Sequence, residues 1–460
     1  MPQTHVTMIG KCEEKLALTL PEAIVHLQGR LSALDPLAKA GLAFQRLEVA
    51  LAPLDIKLFL SAQTLFPMIY WQDREAGEEI GGVGIADELR LDSTNFSRLD
   101  QFSHQTLSST SDGVRYFGGA CFDDQKKGLE WSGFSAVLFV LPRLEISRSS
   151  ETFILAVHVR AGKDVQAARH DLGALKDGIQ IRSVLPKAVR ERDLPRREDW
   201  ICCVEETTRA IEAKTQSKLV LARRTDVTLA GEADPFAILQ RLQEETPGCF
   251  HFLFRISSRT CFFGASPERL YRREGRRILS EALAGTRPRG RTPVEEGRFC
   301  SELSRSPKEA LEHELVVTAI KESLSPLIDT LRADVKPTVT RFKDGQHLLS
   351  LIEGELRSGL TDGDILGRLH PTPAVAGSPT KVALEHLRKV EPFSRGWYAG
   401  PIGWLGRDKS EFAVAIRSGL LCGHALFLYA GAGIVRGSVA REEWNEVEHK
   451  IKSALKVFSL

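Results

Sequence analysis

Phe250-His-Phe-Leu-Phe-Arg-Ile256, Thr260-Cys-Phe-Phe-Gly-Ala265 and Arg277-Ile-Leu-Ser-Glu-Ala-Leu-Ala284 follow one another along the chain, separated by stretches that carry serine, proline or glycine. Rich in aromatic and aliphatic side chains and bounded by turn formers, they predict successive antiparallel strands. Upstream, the pattern predicts a helix over Trp200–Thr215, a strand over Lys218–Arg223 and a helix over Pro235–Glu245. Downstream stand two long helices, Pro307–Leu324 and Arg441–Phe458, the second with Trp444, Val447, Ile451, Leu455 and Phe458 on one apolar stripe. Runs of strands followed by helices, rather than strict alternation, point to an α+β fold with mostly antiparallel sheet.

The preceding region mixes helices and strands. Phe59–Tyr70 and Ala136–Leu141 have strand character, and Gly81-Gly-Val-Gly84 and Gly118-Gly119 mark tight turns. Lys187–Asp199 is charged, alternates in sign and contains one proline, as a surface connection would. It divides the chain into an N-terminal half, 1–195, and a core, 196–460. No internal repeat is visible.

The 460 residues are 42% hydrophobic and 27% charged, a globular composition. Lys plus Arg (62) against Asp plus Glu (60) leaves a net charge of +2, which provides no global field toward nucleic acid or membrane. An anionic ligand must therefore be held by local charges. Met1–Lys15 lacks the apolar core of a signal peptide, and Gly419–Val435, interrupted by His424 and glycines, reads as a buried strand and turn rather than a membrane span. The eight cysteines, with Cys202-Cys203 adjacent, show no CxxC spacing. A cytoplasmic protein is expected.

Several motifs are decoys. Tyr429-Ala-Gly-Ala-Gly433-Ile-Val-Arg436-Gly437 has its third glycine one place late for a dinucleotide fingerprint. There is no Gly-Lys-Ser/Thr, and Glu446-Val-Glu-His449 is a single ExxH where di-iron bundles use two. Other residues carry chemistry only in combination. Glu443, Glu446 and Lys450 form a polar stripe that, alone, is a solvated face with one ion pair. Together with Glu312-His313-Glu314 on the other long helix they offer hard oxygen ligands suited to Mg²⁺ holding a substrate carboxylate. Lys218 at a strand start ordinarily snorkels to water; buried, it becomes a usable general base. Glu268, in Gly264-Ala-Ser-Pro-Glu-Arg-Leu270, is ordinarily a turn carboxylate; in a semi-apolar pocket it stays protonated and can act as an acid. Gly285-Thr-Arg-Pro-Arg-Gly290 and Gly431-Ala-Gly433 offer backbone N–H groups to carboxylates, and Arg417, inside a strand over Glu411–Ser418, predicts a buried cation seeking an anion.

As an ordered set these stretches resemble the chorismate-utilising family of anthranilate, aminodeoxychorismate, isochorismate and salicylate synthases. The matching segments are Lys218-Leu-Val-Leu-Ala-Arg223, Phe263–Leu270, Glu281-Ala-Leu-Ala-Gly-Thr286, Glu312-His313, His370-Pro-Thr-Pro-Ala-Val-Ala-Gly377, Arg395-Gly-Trp-Tyr-Ala-Gly400, Ala415-Ile-Arg-Ser418, Ala430-Gly-Ala-Gly433 and Glu443-Trp-Asn-Glu446 with Lys450. The likeness is dense over about 200–460 and looser before, where Arg115-Tyr-Phe-Gly-Gly-Ala-Cys-Phe-Asp123 is similar to a segment of the menaquinone-pathway isochorismate synthases. The resemblance implies a large anthranilate-synthase-component-I-like sandwich whose mostly antiparallel sheets enclose a buried site. It implies Glu312 and Glu446 as Mg²⁺ ligands, with Glu443 contributing directly or through water. The metal and the backbone at Gly285 and Thr286 would hold the ring carboxylate, with Lys450 nearby. Tyr398, Arg417 and the Gly431 backbone would hold the enolpyruvyl carboxylate, and His347 would lie near the ring.

Family members differ in the nucleophile and in whether pyruvate leaves. Lys218 favours water, since a neutral lysine can take its proton, while Glu268 protonates the departing hydroxyl; anthranilate synthases typically have glutamine at this lysine position, whereas aminodeoxychorismate synthases can keep lysine. Ala374 also resembles isochorismate synthases, because amine-adding and pyruvate-eliminating relatives tend to carry a hydroxyl there. The expectation is therefore reversible conversion of chorismate to isochorismate, for menaquinone or phylloquinone synthesis, by a monomer or homodimer. The alternatives are a salicylate synthase, a siderophore-pathway isochorismate synthase, an amine-adding synthase and a non-catalytic relative.

Overall fold

The computed structural model describes residues 17–34, 43–126, 128–160, 163–178, 185–343 and 345–458. These residues form a twelve-stranded and a ten-stranded sheet, joined and flanked by helices. Every strand pairing within the two sheets is antiparallel. The residues read for a signal peptide lie outside those described. Among the described residues no helix is long and apolar enough to cross a membrane.

Both sheets draw strands from both halves of the chain. In the larger one, Met68–Gln72 pairs with Phe250–Arg255, and in the smaller one Arg115–Ala120 pairs with Pro401–Gly406. The aromatic run that opened the sequence analysis explains the first join. Phe250, Phe252, Leu253 and Phe254 are all buried, so this strand is covered on both faces at the centre of its sheet. Phe250–Arg255 pairs with Thr260–Ser266 as expected, but Arg277–Arg287 does not continue that sheet. After Ser266 the chain crosses to the smaller sheet, where Arg269–Glu274 pairs with Arg277–Arg287. After a short visit to the larger sheet at Gly377–Ser378, it crosses back for the last time between Lys409–Val414 and Ser418–Cys422. The crossings after Ser266 and after Val414 lie side by side: Val414 N–H donates to Glu268 O at 3.0 Å, and Ala265 N–H to Arg417 O at 3.1 Å. The backbone hydrogen bonds freed where strands change sheets are thereby satisfied by each other.

Other expectations change for tertiary reasons. Ile56–Ala62 is a helix, capped by Asp55 Oδ1 accepting from Lys57 N–H and Leu58 N–H, so of the predicted strand only Met68–Tyr70 is extended, within a strand over Met68–Gln72. Gly81, Gly82, Gly118 and Gly119 lie inside strands instead of turns. At Gly118 a Cβ would stand 1.8 Å from Leu138 O, so this glycine is required by backbone approach. Ala188–Leu194 is a strand paired with Lys218–Leu229, not a bare connection; its alternating charges suit an edge. Gly419–Val435 holds part of a hairpin, Ser418–Cys422 with Ala425–Ile434.

Candidate active site

Glu268 owes its place to the sheet crossing. Pro267 has no N–H to extend the Thr260–Ser266 strand, and Ser266 Oγ, which donates to Val414 O at 2.6 Å, accepts from Glu268 N–H at 3.2 Å. The side chain is buried, and its surroundings push the carboxyl up to about 8. Burial is the main cause; Lys218 and Arg417 pull the other way, and the Glu281 charge adds to the rise. The carboxyl is thus mostly protonated near neutral pH. Arg417, across the crossing, departs from expectation. It lies in the bend between strands at φ +50° and is half-buried, because the bend, not a strand interior, carries it.

Lys218 does not snorkel. It is 1% exposed, and its Nζ donates to Glu312 Oε1 at 2.9 Å. Its strand, Lys218–Leu229, pairs on one side with Ala425–Ile434, placing Val220 opposite Gly433. A Cβ at Gly433 would meet Glu312 Oε1 at 2.6 Å and Lys218 Cε at 3.2 Å. The absence of that side chain is what admits the carboxylate to the lysine. Gly431 and Gly433 therefore act from within a strand, not as an open loop, and Gly431 O accepts from Lys450 Nζ at 2.9 Å.

The carboxylates come from two helices. Pro307–Leu324 starts at Ser306, whose side chain accepts from Glu309 N–H, with Pro307 in the first turn. His313 Nε2 meets Ser350 Oγ at 2.9 Å and fixes the helix rotation, which leaves Glu314 exposed while Glu309 and Glu312 turn inward. The second helix, Ala440–Leu455, buries Trp444, Val447 and Ile451 as its stripe predicted, and Glu443 with them. Lys308 Nζ bridges the helices to Glu443 Oε1 at 3.0 Å. Burial raises the Glu443 carboxyl, Lys308 opposes this and Glu446 adds to it. At Glu446 desolvation acts upward but is outweighed by the Lys450 ion pair at 2.7 Å, with Lys308 and His347 beyond, so this carboxyl is lowered.

Among the described residues no three carboxylate, imidazole or thiol groups converge closely enough to chelate an ion directly. Instead each expected ligand carries an ammonium: Glu312 has Lys218, Glu443 has Lys308 and Glu446 has Lys450. Lys308 is the informative one. Despite burial its ammonium is favoured by Glu443, Glu309 and Glu312, and it also acts on Glu446. Lys308 thus touches Glu443, while Glu312 and Glu446 carry Lys218 and Lys450 and Glu309 is held by Arg287 at 2.6 Å; all four carboxylates are hard oxygen donors. That set fits a divalent cation such as Mg²⁺. Glu309 was missed in the sequence, although it stands three residues before Glu312 on one helix face, a spacing that could have revealed it.

At the other end, Gly285 has φ +78°, and Thr286 N–H is not open to a ligand: it donates to Glu309 Oε2 at 3.0 Å. The predicted N–H cradle at Gly290 is likewise taken, by Glu296 Oε2 at 2.6 Å. Thr286 Oγ1 lies 3.1 Å from His347 Nδ1 on the neighbouring strand. Tyr398 is buried, stacks on Tyr429 with ring centres 5.1 Å apart, and points its hydroxyl to within 3.2 Å of where a Gly431 Cβ would be. Burial holds its phenol well above the usual range, with Arg395 opposing and Glu391 and Glu268 adding. Ala374 is half-buried on a turn whose next residues bind the Lys218 strand, Val220 N–H donating to Ala376 O at 2.9 Å. The structure thus brings Lys218 to Glu312, sets Lys218, Arg417 and Tyr398 within electrostatic reach of Glu268, joins Gly431 to Glu446 through Lys450, and pairs Thr286 with His347, while Glu443 is held by Lys308. Ala374 packs, partly buried, against the hydrophobic core that includes Tyr398.

A buried lysine paired with a carboxylate, beside a buried carboxyl raised to about 8, is the kind of perturbed ionisable cluster that marks an enzyme. The chain matches the chorismate binding enzyme family over residues 39–459, and it belongs to that family. Isochorismate synthase MenF of Bacillus subtilis strain 168 is 33% identical over 83% of this chain and 86% of its own length. The structure of MenF, the menaquinone-specific isochorismate synthase from Escherichia coli, matches with a TM-score of 0.85 and 29% identity, covering 96% of this chain and 100% of that one. Anthranilate synthase component I from Streptococcus pneumoniae TIGR4 shares the fold, with a TM-score of 0.66 and 19% identity over 91% of this chain and 93% of that one. The expected sandwich of mixed helix and antiparallel sheet is borne out.

Proposed function

We propose that the chain is an isochorismate synthase, carried by one observation: a buried lysine, Lys218, faces a buried carboxyl, Glu268, that is held protonated near neutral pH. A base and an acid in that state suit the addition of water at one ring carbon and the loss of hydroxyl at another. Lys218, once neutral, takes a proton from water attacking the carbon beside the carboxylate-bearing one. The ring double bonds shift, and Glu268 gives its proton to the hydroxyl leaving from the far side. One water enters and one departs, so the substrate composition is unchanged and the reaction is reversible. Arg417, Tyr398 and the Gly431 backbone hold the enolpyruvyl carboxylate. Thr286 and Gly285, with Lys450 nearby, hold the ring carboxylate once Glu309 yields the Thr286 N–H, and His347 lies by the ring. Glu312 and Glu446, with Glu443 directly or through water, would hold Mg²⁺. When bound, the ion neutralises the ring carboxylate and the acidic cluster. The likeness to MenF proteins favours a quinone branch, and a cytoplasmic monomer or homodimer is the form we expect.

The test is incubation with chorismate and Mg²⁺, separating isochorismate from aromatic products and measuring pyruvate. Isochorismate should form without pyruvate, and excess chelator should abolish turnover while the melting temperature stays nearly constant. Glu312→Gln and Glu446→Gln should lose most turnover and melt below the parent, Glu312→Gln the more so, since each leaves an ammonium, the buried Lys218 or Lys450, without its carboxylate. Pyruvate released in step with product would make the chain a salicylate synthase. Unchanged chorismate would make it a binder, and full turnover in chelator would remove the metal.

Ala374→Thr probes product choice. A hydroxyl beside the ring can orient water or ammonia. We expect more pyruvate per isochorismate formed, or an aminated product with ammonium present. A uniform fall with an unchanged product ratio would mark Ala374 as a packing residue, overpacking there costing about 1–3 kcal/mol.

A further inference from the structure

The turn that carries Glu268 is gripped from behind by the N-terminal half of the chain. Arg74 stands between strands Met68–Gln72 and Glu78–Val83. Its Nη1 donates to Pro267 O at 3.0 Å, and its two terminal nitrogens make a bidentate contact with Glu281 at 2.7 Å each. Glu281 has a side chain only 1% exposed and accepts a further bond from Arg269 Nη1 at 2.7 Å. Arg269 continues to Glu411 at 3.0 Å and to Glu75 at 3.0 Å. The two chain neighbours of Glu268, Pro267 and Arg269, are therefore both tied to Glu281. Arg74 is the group that joins the Pro267 carbonyl to that carboxylate. The ring of Phe250 lies against both guanidinium groups, 5.7 Å from Arg74 and 5.3 Å from Arg269.

We propose that Arg74 is a positioning residue for the general acid, holding the Ser266–Arg269 turn, through the Pro267 carbonyl and Glu281, so that Glu268 meets the departing hydroxyl. This rests on the reading of Glu268 as that acid. The planar fork of a guanidinium meets both oxygens of Glu281 in parallel while Nη1 also reaches the Pro267 carbonyl, a geometry that the point charge of a lysine does not match. An electrostatic consequence follows. The charged and titratable groups facing Glu268 are Lys218, Glu281, Arg417 and Tyr398. Of these, Glu281 is the one whose charge Arg74 offsets. Removing Arg74 leaves the Glu281 charge less compensated and makes Glu268 harder to ionise, whereas Glu281→Gln makes it easier.

The experiment compares Arg74→Ala, Arg74→Lys, Glu281→Gln, Glu268→Gln and the Arg74→Ala/Glu268→Gln double variant in the full chain, across pH. Arg74→Ala should lower kcat about tenfold with KM for chorismate little changed, since misplacement of a reacting group costs rate more than binding. Arg74→Lys should fall between it and the parent. The alkaline limb of the rate should move up in pH for Arg74→Ala and down for Glu281→Gln, opposite signs that loss of packing does not produce. The double variant should be no slower than Glu268→Gln alone. Losses that multiply in the double variant, or an alkaline limb that stays in place, would overturn the role of Arg74. An active Glu268→Gln would instead remove the acid assignment on which the role rests. Should Arg74→Ala fail to fold, Arg74→Lys carries the same comparison of pH profiles.

Discussion

Glu268→Gln should lower kcat by about 10²–10⁴-fold, the usual cost of removing a positioned proton donor, while KM for chorismate changes far less. Glutamine keeps the size and polarity of the side chain but cannot release a proton to a leaving hydroxyl. The parent rate should fall as pH rises past about 8, where the carboxyl ionises, and the residual rate of the variant should lack that limb. A second readout does not depend on catalysis. Folding raises this carboxyl from its ordinary 4.5 to about 8, so its contribution to stability is full below about 4.5 and is lost as pH rises through about 8. Melting temperatures of the parent should therefore decline across that window more than those of Glu268→Gln. Equal pH slopes would mean that Glu268 is already ionised in the folded protein, and an undiminished kcat would mean that another group protonates the hydroxyl.

Lys218→Ala should cost turnover on a similar scale, about 10²–10⁴-fold, in both directions. In the forward direction the amine takes a proton from the attacking water; in reverse the ammonium returns it to the departing hydroxyl of isochorismate. Chorismate affinity should fall less than kcat, because the carboxylates of the substrate are assigned to other groups. The truncation also leaves Glu312, its partner at 2.9 Å, without that ammonium. The variant should therefore need more Mg²⁺ for half-maximal rate if the lysine helps to place Glu312, and less if the two compete for the carboxylate. Near-normal conversion of chorismate at neutral pH by Lys218→Ala would mean that water is activated elsewhere.

Some of this was legible in the chain. Pro235–Glu245 and Pro307–Leu324 are helices with the predicted bounds, since Asp234 and Ser306 cap them and proline opens each first turn. The stripe through Trp444, Val447 and Ile451 identified the buried face of the last helix, and it fixed by exclusion where Glu446 and Lys450 would lie. The family resemblance singled out Lys218, Glu268 and Glu312, and the fold brings Lys218 to Glu312 and within electrostatic reach of Glu268 from three separate elements.

What sequence alone determined is the set of locally encoded features: helix starts, apolar stripes, strand-forming runs, and which residue types stand in family-like order. These depend on near neighbours along the chain. Tertiary structure decided the rest. Gly118 sits in a strand because Leu138 O approaches it, and Gly433 is small because Glu312 and Lys218 meet beside it. Arg417 occupies a bend because two sheet crossings share hydrogen bonds with each other. Glu309 and Lys308 joined the acidic cluster only when two helices were set face to face, and Arg74 reached Pro267 only across two halves of the chain. In each case the deciding force is contact or charge between residues remote in sequence, which local propensity does not contain.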